Sequence, residues 1–271
     1  MSTATTPQIG APGFAAAAGQ PQPTSIFTDT GGIETGAVTI PTASGTLPVY
    51  LAVPSARGPF PIVLLVHEIF GVHEHIRDIA RRLAKQGYFA LAPELFFRQG
   101  DPAGIVDIPG ALREFVAKAA DSEVLSDLDR LIEWAGKNGG DAGRAAITGF
   151  CWGGRIAWLY AAHNQSLKAG VAWYGRLVGE PSANAPRFPI DVAAELKVPV
   201  LGLYGGADQG IPLDTIDRMR AALKAGKTDS EIVIYESAPH AFYADYRPSY
   251  RAAPAKDGWE RLVGWFKAHG L

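Results

Sequence analysis

Read by the spacing of its apolar residues, the chain settles into a regular alternation after an irregular start. Residues 38–40 and 49–53 are apolar segments joined by a polar turn at 42–46, the pattern of an edge hairpin. Residues 61–66 (Pro-Ile-Val-Leu-Leu-Val) form an unbroken apolar run, as expected of a strand covered on both faces. Across 75–86 the apolar positions fall at 76, 79, 80, 83 and 84, a helical spacing that Gly87 is placed to end. A strand over 88–92 then stops at Pro93. Further on, the pattern predicts helices over 112–120 and 124–135, a strand over 145–150 and a helix over 156–162. It continues with strands over 169–173 and 200–204, a helix over 215–225, a strand over 231–235 and a closing helix over 259–268. Strands alternating with helices imply a mostly parallel sheet with helices on both faces, an α/β fold.

Composition narrows the partners. The 271 residues are 47% hydrophobic and 19% charged, and 25 basic residues against 27 acidic ones leave a net charge of −2. Such a balance gives no electrostatic reason to expect nucleic acid or an anionic membrane, so the expected partner is a small molecule. Residues 1–30 are rich in Ala, Pro, Gly, Ser and Thr without periodicity and are expected to form an arm, either disordered or lying across a single domain over 31–271. No Lys or Arg precedes Arg57, and the apolar stretch at 14–18 is too short for a signal-peptide core, although an eroded export signal is the alternative reading. No run approaches the ~20 apolar residues of a membrane span. The single cysteine excludes an intrachain disulfide and suits a reducing compartment, so a cytoplasmic protein is expected, as a monomer or small homo-oligomer.

That cysteine sits in a telling place. Gly149-Phe-Cys151-Trp-Gly153, followed by Gly154, joins a predicted strand to a predicted helix. This is G-x-C-x-G, the nucleophile-elbow pattern with Cys in place of Ser. The sharp turn needs small residues on either side. The helix N-terminus beyond it favours a thiolate and offers N–H groups to an oxyanion. An inert buried thiol at a tight turn is the competing reading. Two later residues weigh against it. Asp208 follows the strand over 200–204 and His240 follows the strand over 231–235, in the order nucleophile, acid, base, all at the carboxyl ends of strands. His240 would take the thiol proton, Asp208 would orient the imidazole, and Cys151 would attack a carbonyl. Asp214 and Asp217 are competing acids, better explained as the cap and first turn of the following helix. Tyr174, just after the strand at 169–173, is a candidate pocket residue, or else a packed aromatic.

His67-Glu-Ile-Phe-Gly71 follows the first buried strand, and a glutamate there is costly unless it has a partner or a task. His67, Glu68, His73, Glu74 and His75 do not form H-E-x-x-H, because position 71 is glycine, and no metal or other cofactor is expected. Together, HEIFGVHEHIRDIARRLA, ALAPELFFR, GFCWGGR, LYGGAD and PHAF, in that order, make the chain resemble the dienelactone hydrolase (carboxymethylenebutenolidase) family of the α/β-hydrolase superfamily from about Val38 onward. The resemblance implies an α/β-hydrolase fold and a hydrolase of small esters or lactones acting through an acyl-cysteine. It implies Cys151, Asp208 and His240 as the triad, with Glu68 holding the resting thiol's proton. It further implies the N–H groups of Ile69 and Trp152 as the oxyanion hole and Arg98 as a grip on the substrate carboxylate. The family's second arginine, four residues after the histidine, corresponds here to Ala244, with Arg247 three residues further on. A thioesterase or short-chain esterase on the same site, or a non-catalytic ligand-binding member of the fold, are the alternatives; a redox-sensing thiol lacks a second cysteine to resolve it. The aromatic loop over 241–250 is expected to cover the site with Tyr246 and Tyr250.

Overall fold

A computed structural model describes residues 16–19, 21–226 and 228–271. The expected arm over 1–30 therefore falls partly outside the described residues. Eight strands form one sheet in the order β1-β2-β4-β3-β5-β6-β7-β8. They are β1 (Ile33–Thr42), β2 (Gly45–Pro54), β3 (Phe60–Val66), β4 (Phe89–Pro93), β5 (Gly140–Phe150), β6 (Ala169–Trp173), β7 (Val200–Gly205) and β8 (Glu231–Tyr235). The β1–β2 hairpin is antiparallel and its β2 pairs antiparallel with β4, whereas β3 through β8 are parallel. This is the expected α/β-hydrolase architecture. The apolar run of β3 is covered on both faces, with Ile62 through Val66 wholly buried, which is why it reads as continuous rather than alternating.

The helices are α1 (Glu74–Lys85), α2 (Ile108–Glu114), α3 (Asp121–Lys137), α4 (Trp152–His163), α5 (Pro189–Val192), α6 (Leu213–Ala225) and α7 (Ala252–Ala268). From β3 the chain first moves to β4 on one side and then crosses to β5 on the other. Right-handed crossovers therefore put α1 on one face and α3, α4 and α6 on the opposite face. The last helix returns to the α1 face, where Phe266 packs edge-on against Tyr88 at 5.9 Å between centroids. The reversal of strand order between β3 and β5 opens a crevice at their carboxyl ends, where open α/β sheets place ligands.

Some boundaries differ from the pattern. The helix expected over 112–120 begins earlier, at Ile108, because the Asp107 side chain caps the Gly110 N–H and Pro109 suits a first turn. It breaks at Phe115 and resumes only as a 3₁₀ turn at Val116–Lys118. Pro212 rather than Asp214 occupies the N-cap of α6, and Asp214 lies in its first turn. The closing helix starts at Ala252, seven residues before the expected 259. Part of the N-terminal segment lies on the domain: Thr24 Oγ1 donates to the Asp245 carbonyl at 2.6 Å, and the Thr28 N–H donates to Asp78 on α1. Among the described residues no helix is long and apolar enough to cross a membrane.

Candidate active site

The turn from β5 into α4 is built around one strained residue. Cys151 has φ 55° and ψ −114°, and its N–H donates to the Trp173 carbonyl at 3.0 Å. A non-glycine residue in this region costs energy and persists only where its surroundings over-determine it. Here three glycines do so. A Cβ on Gly149 would overlap the Gly153 carbonyl, one on Gly153 would overlap the Val66 carbonyl, and one on Gly154 would overlap the Trp173 carbonyl. The backbones of β3, β5, β6 and α4 thus converge on the cysteine, and its partly exposed thiol faces the crevice.

Two loops bring partners to it. His240, just beyond β8, lies with Nε2 3.2 Å from Cys151 Sγ and Nδ1 2.7 Å from Asp208 Oδ2. Asp208, beyond β7, is buried, and its Oδ1 also accepts the Gly210 N–H at 2.8 Å. A carboxylate needs such donors when it is taken out of water. Burial opposes a charged His240, but the Cys151 sulfur and the Asp208 carboxylate outweigh it and push the imidazole up to about 10. A proton is therefore favoured between sulfur and carboxylate. Ile69 and Trp152 line the same cavity, and no described hydrogen bond is donated by the backbone N–H of either. His67 holds the Ile69 loop from behind. Its Nε2 accepts the Leu95 N–H at 3.1 Å, which leaves Nδ1 to donate to the Glu68 carbonyl at 2.6 Å.

Glu68 lines the cavity and is committed to partners other than the thiol. Its carboxylate accepts the Tyr246 hydroxyl at 2.6 Å and lies 3.4 Å from His73 Nε2. The expected resting hydrogen bond between Cys151 and Glu68 is not among the described bonds; His240 occupies the sulfur instead. Burial raises the Glu68 carboxyl, but His73, then His75 and the Tyr246 hydroxyl, reverse this and hold it low. Burial also pushes His73 below its ordinary value, which weakens the charge it can offer. The Tyr246 hydroxyl, itself pushed well above the usual tyrosine range by burial and the Glu68 charge, donates whatever the state of His73. It adds to the larger effect of His73 and His75 in favouring the ionised carboxylate. Sequence spacing points to neither Tyr246 nor His73 as a partner of Glu68, and the expected place of Tyr246 over the site is corrected. Of residues 241–250 only Arg247 reaches the cavity, while Tyr246 is wholly buried behind Glu68.

The cavity measures about 770 Å³. Tyr174 lines it, fully buried, with φ 37° and its ring 5.2 Å from that of His240; its hydroxyl has no hydrogen-bond partner among the described residues. Arg98 does not line it. Asp127 on α3 takes the Arg98 guanidinium in a two-pronged pair at 2.7 and 3.0 Å, Ser44 takes its Nε, and the Phe97 ring lies beneath it. The expectation of Arg98 as a carboxylate grip is corrected by this commitment to a buried acid. The arginines that do line the cavity are Arg155, Arg176 and Arg247. Arg155 is paired with Asp121 at 2.7 Å through both prongs, whereas no described ion pair occupies Arg176 or Arg247. Among the described residues no group of three or more His, Cys, Asp or Glu is placed to hold a metal ion.

Known proteins share this chain's sequence and fold. A model of the dienelactone hydrolase family matches residues 47–270. A provisionally named carboxymethylenebutenolidase of Salmonella typhimurium is 57% identical over 259 residues, covering 95% of this chain and 96% of that protein. Its provisionally named counterpart in Escherichia coli K12 is 55% identical over 268 residues, covering 98% of each. A crystal structure provisionally named a dienelactone hydrolase, from Klebsiella pneumoniae, superposes with a TM-score of 0.85 at 58% identity, covering 87% of this chain and 98% of that one.

Proposed function

Since the chain belongs to the dienelactone hydrolase family, we propose that it hydrolyses small esters or lactones through Cys151, His240 and Asp208. The observation that carries this reading is the continuous line from the Cys151 sulfur to His240 at 3.2 Å and on to Asp208 at 2.7 Å. His240 takes the thiol proton, and the sulfur attacks the carbonyl carbon. The carbonyl oxygen becomes an oxyanion that the Ile69 and Trp152 N–H groups receive. As the tetrahedral adduct collapses, the C–O bond to the leaving group breaks and His240 returns the proton to that oxygen. Water, deprotonated by His240, then attacks the acyl-cysteine and releases the acid and the thiol. Asp208 holds the imidazole in the correct tautomer throughout.

In this reading Arg247 and Arg176, rather than Arg98, meet a carboxylate on the substrate, because they line the cavity with no described ion pair of their own. Tyr246 takes only Oε2 of Glu68, whereas His240 stands on the sulfur itself, so His240 is the resting base. A free reactive thiol persists in a reducing compartment, which supports a cytoplasmic location.

The test is hydrolysis of p-nitrophenyl acetate and of a dienelactone by the unaltered protein, Cys151→Ala and His240→Ala. Turnover is expected in the first and a loss of about a thousandfold or more in both variants. Turnover that survives Cys151→Ala overturns the mechanism.

A further inference from the structure

The cavity that holds Cys151 is far larger than a five-membered lactone needs. Its volume of about 770 Å³ lies within the range of sites that enclose drug-sized ligands. One wall comes from α2 and the turn after it. Ile108 and Leu112, spaced four apart, fall on one face of α2, Val116 follows in the 3₁₀ turn, and all three line the cavity. Two of them are large apolar side chains left unusually open, Ile108 at 43% and Leu112 at 47% exposure. Phe188 and Ala119 line the same cavity, and Phe188 is held from behind by Gly179, where any Cβ would strike its ring. The Arg155 guanidinium caps that ring at 4.7 Å and is itself fixed by Asp121. Isolated exposed apolar residues need no explanation, but an apolar face turned into the cavity of a nucleophile is built to be covered.

We propose that this wall binds an extended apolar acyl or aryl group of the substrate, so that the natural ester carries a chain of several carbons rather than a bare lactone ring. The inference rests on Cys151 as the nucleophile but concerns a different part of the site. Each methylene of the substrate that reaches Ile108 and Leu112 leaves water, and both side chains are covered with it. A gain of this kind raises affinity and kcat/KM with chain length up to the length of the pocket.

The experiment uses p-nitrophenyl acetate, butyrate and octanoate with the unaltered protein and with the double variant Ile108→Ser, Leu112→Ser. Because both side chains are partly exposed, the variant is expected to fold normally. For the unaltered protein kcat/KM is expected to rise at least about tenfold from acetate to octanoate. In the double variant the three esters should fall within about threefold of each other. A flat or falling series in the unaltered protein, or a rise that survives the double variant, overturns the proposal. A second readout does not depend on turnover: calorimetric binding of 2-decanone and 2-butanone to Cys151→Ala. Tighter binding of the longer ketone, abolished by the double variant, supports the apolar wall even if no ester is hydrolysed, in which case the mechanism above fails and the wall stands. Equal binding of both ketones removes the wall while leaving the mechanism to its own test.

Discussion

His240 shows how much one side chain owes to its neighbours. Burial alone would leave it neutral, and only the Cys151 sulfur and the Asp208 carboxylate hold its proton up to about 10. Asp208→Asn keeps the size of the side chain but removes its charge and permits the wrong imidazole tautomer. The expected outcome is a fall in kcat of about 10²- to 10⁴-fold with KM little changed. The His240 titration, followed by NMR, should move to lower pH than in the unaltered protein. An unshifted titration would mean that the 2.7 Å contact carries no charge interaction. These three residues are legible in the chain because elbow glycines, strand ends and chain order are local signals. The partner of Glu68 is not, since Tyr246 lies 178 positions away and no spacing rule connects them.

At the scale of the element, the β5–α4 turn depends on backbone contacts that tolerate no side chain. Gly153→Ala would press a methyl group into the carbonyls of Val66 and His67. We expect a loss of about 2–4 kcal/mol in stability, read from the denaturant midpoint, and reduced activity because β3 and the elbow must part. Gly264→Ala in α7 is the control. Nothing lies within 4 Å of where its added methyl group would stand, and the helix should gain up to about 1 kcal/mol. Equal effects at the two positions would show that elbow packing is not what makes Gly153 necessary. The elbow is readable as G-x-C-x-G. The early start of α2 is not, because the apolar period begins after the Asp107 cap that determines where the helix opens.

Across the whole molecule, a buried charged network ties distant segments together. Asp78 on α1 receives Arg81 and Arg82; Arg82 reaches Asp245 at 2.6 Å, and Asp245 also meets His75 at 3.1 Å. The N-terminal segment joins through Thr24 and Thr28. Burial raises the Asp245 carboxyl, but His75 and Arg82 lower it further than burial lifts it, and Glu68 is likewise held low. Carboxylates depressed in the folded state stabilise it above their unfolded values near pH 4, and that contribution is lost as pH falls through the folded values. Scanning calorimetry should therefore find Tm falling steeply below about pH 4. Asp245→Asn should lower Tm at neutral pH and make the acid fall shallower; an unaltered acid limb would remove Asp245 from the network's account.

What the amino-acid sequence determined by itself was the alternation of strands and helices, the tight turn around Cys151 and the places of Asp208 and His240 at strand ends, because each is written in nearest-neighbour periodicity and turn chemistry. Tertiary structure alone decided how charge is shared. It gave Arg98 to Asp127, left Arg176 and Arg247 at the cavity, and turned Glu68 toward Tyr246. A buried charge goes to whichever partner the packed fold brings within hydrogen-bond reach, and that distance exists only once the sheet has closed the gap between residues far apart in the chain.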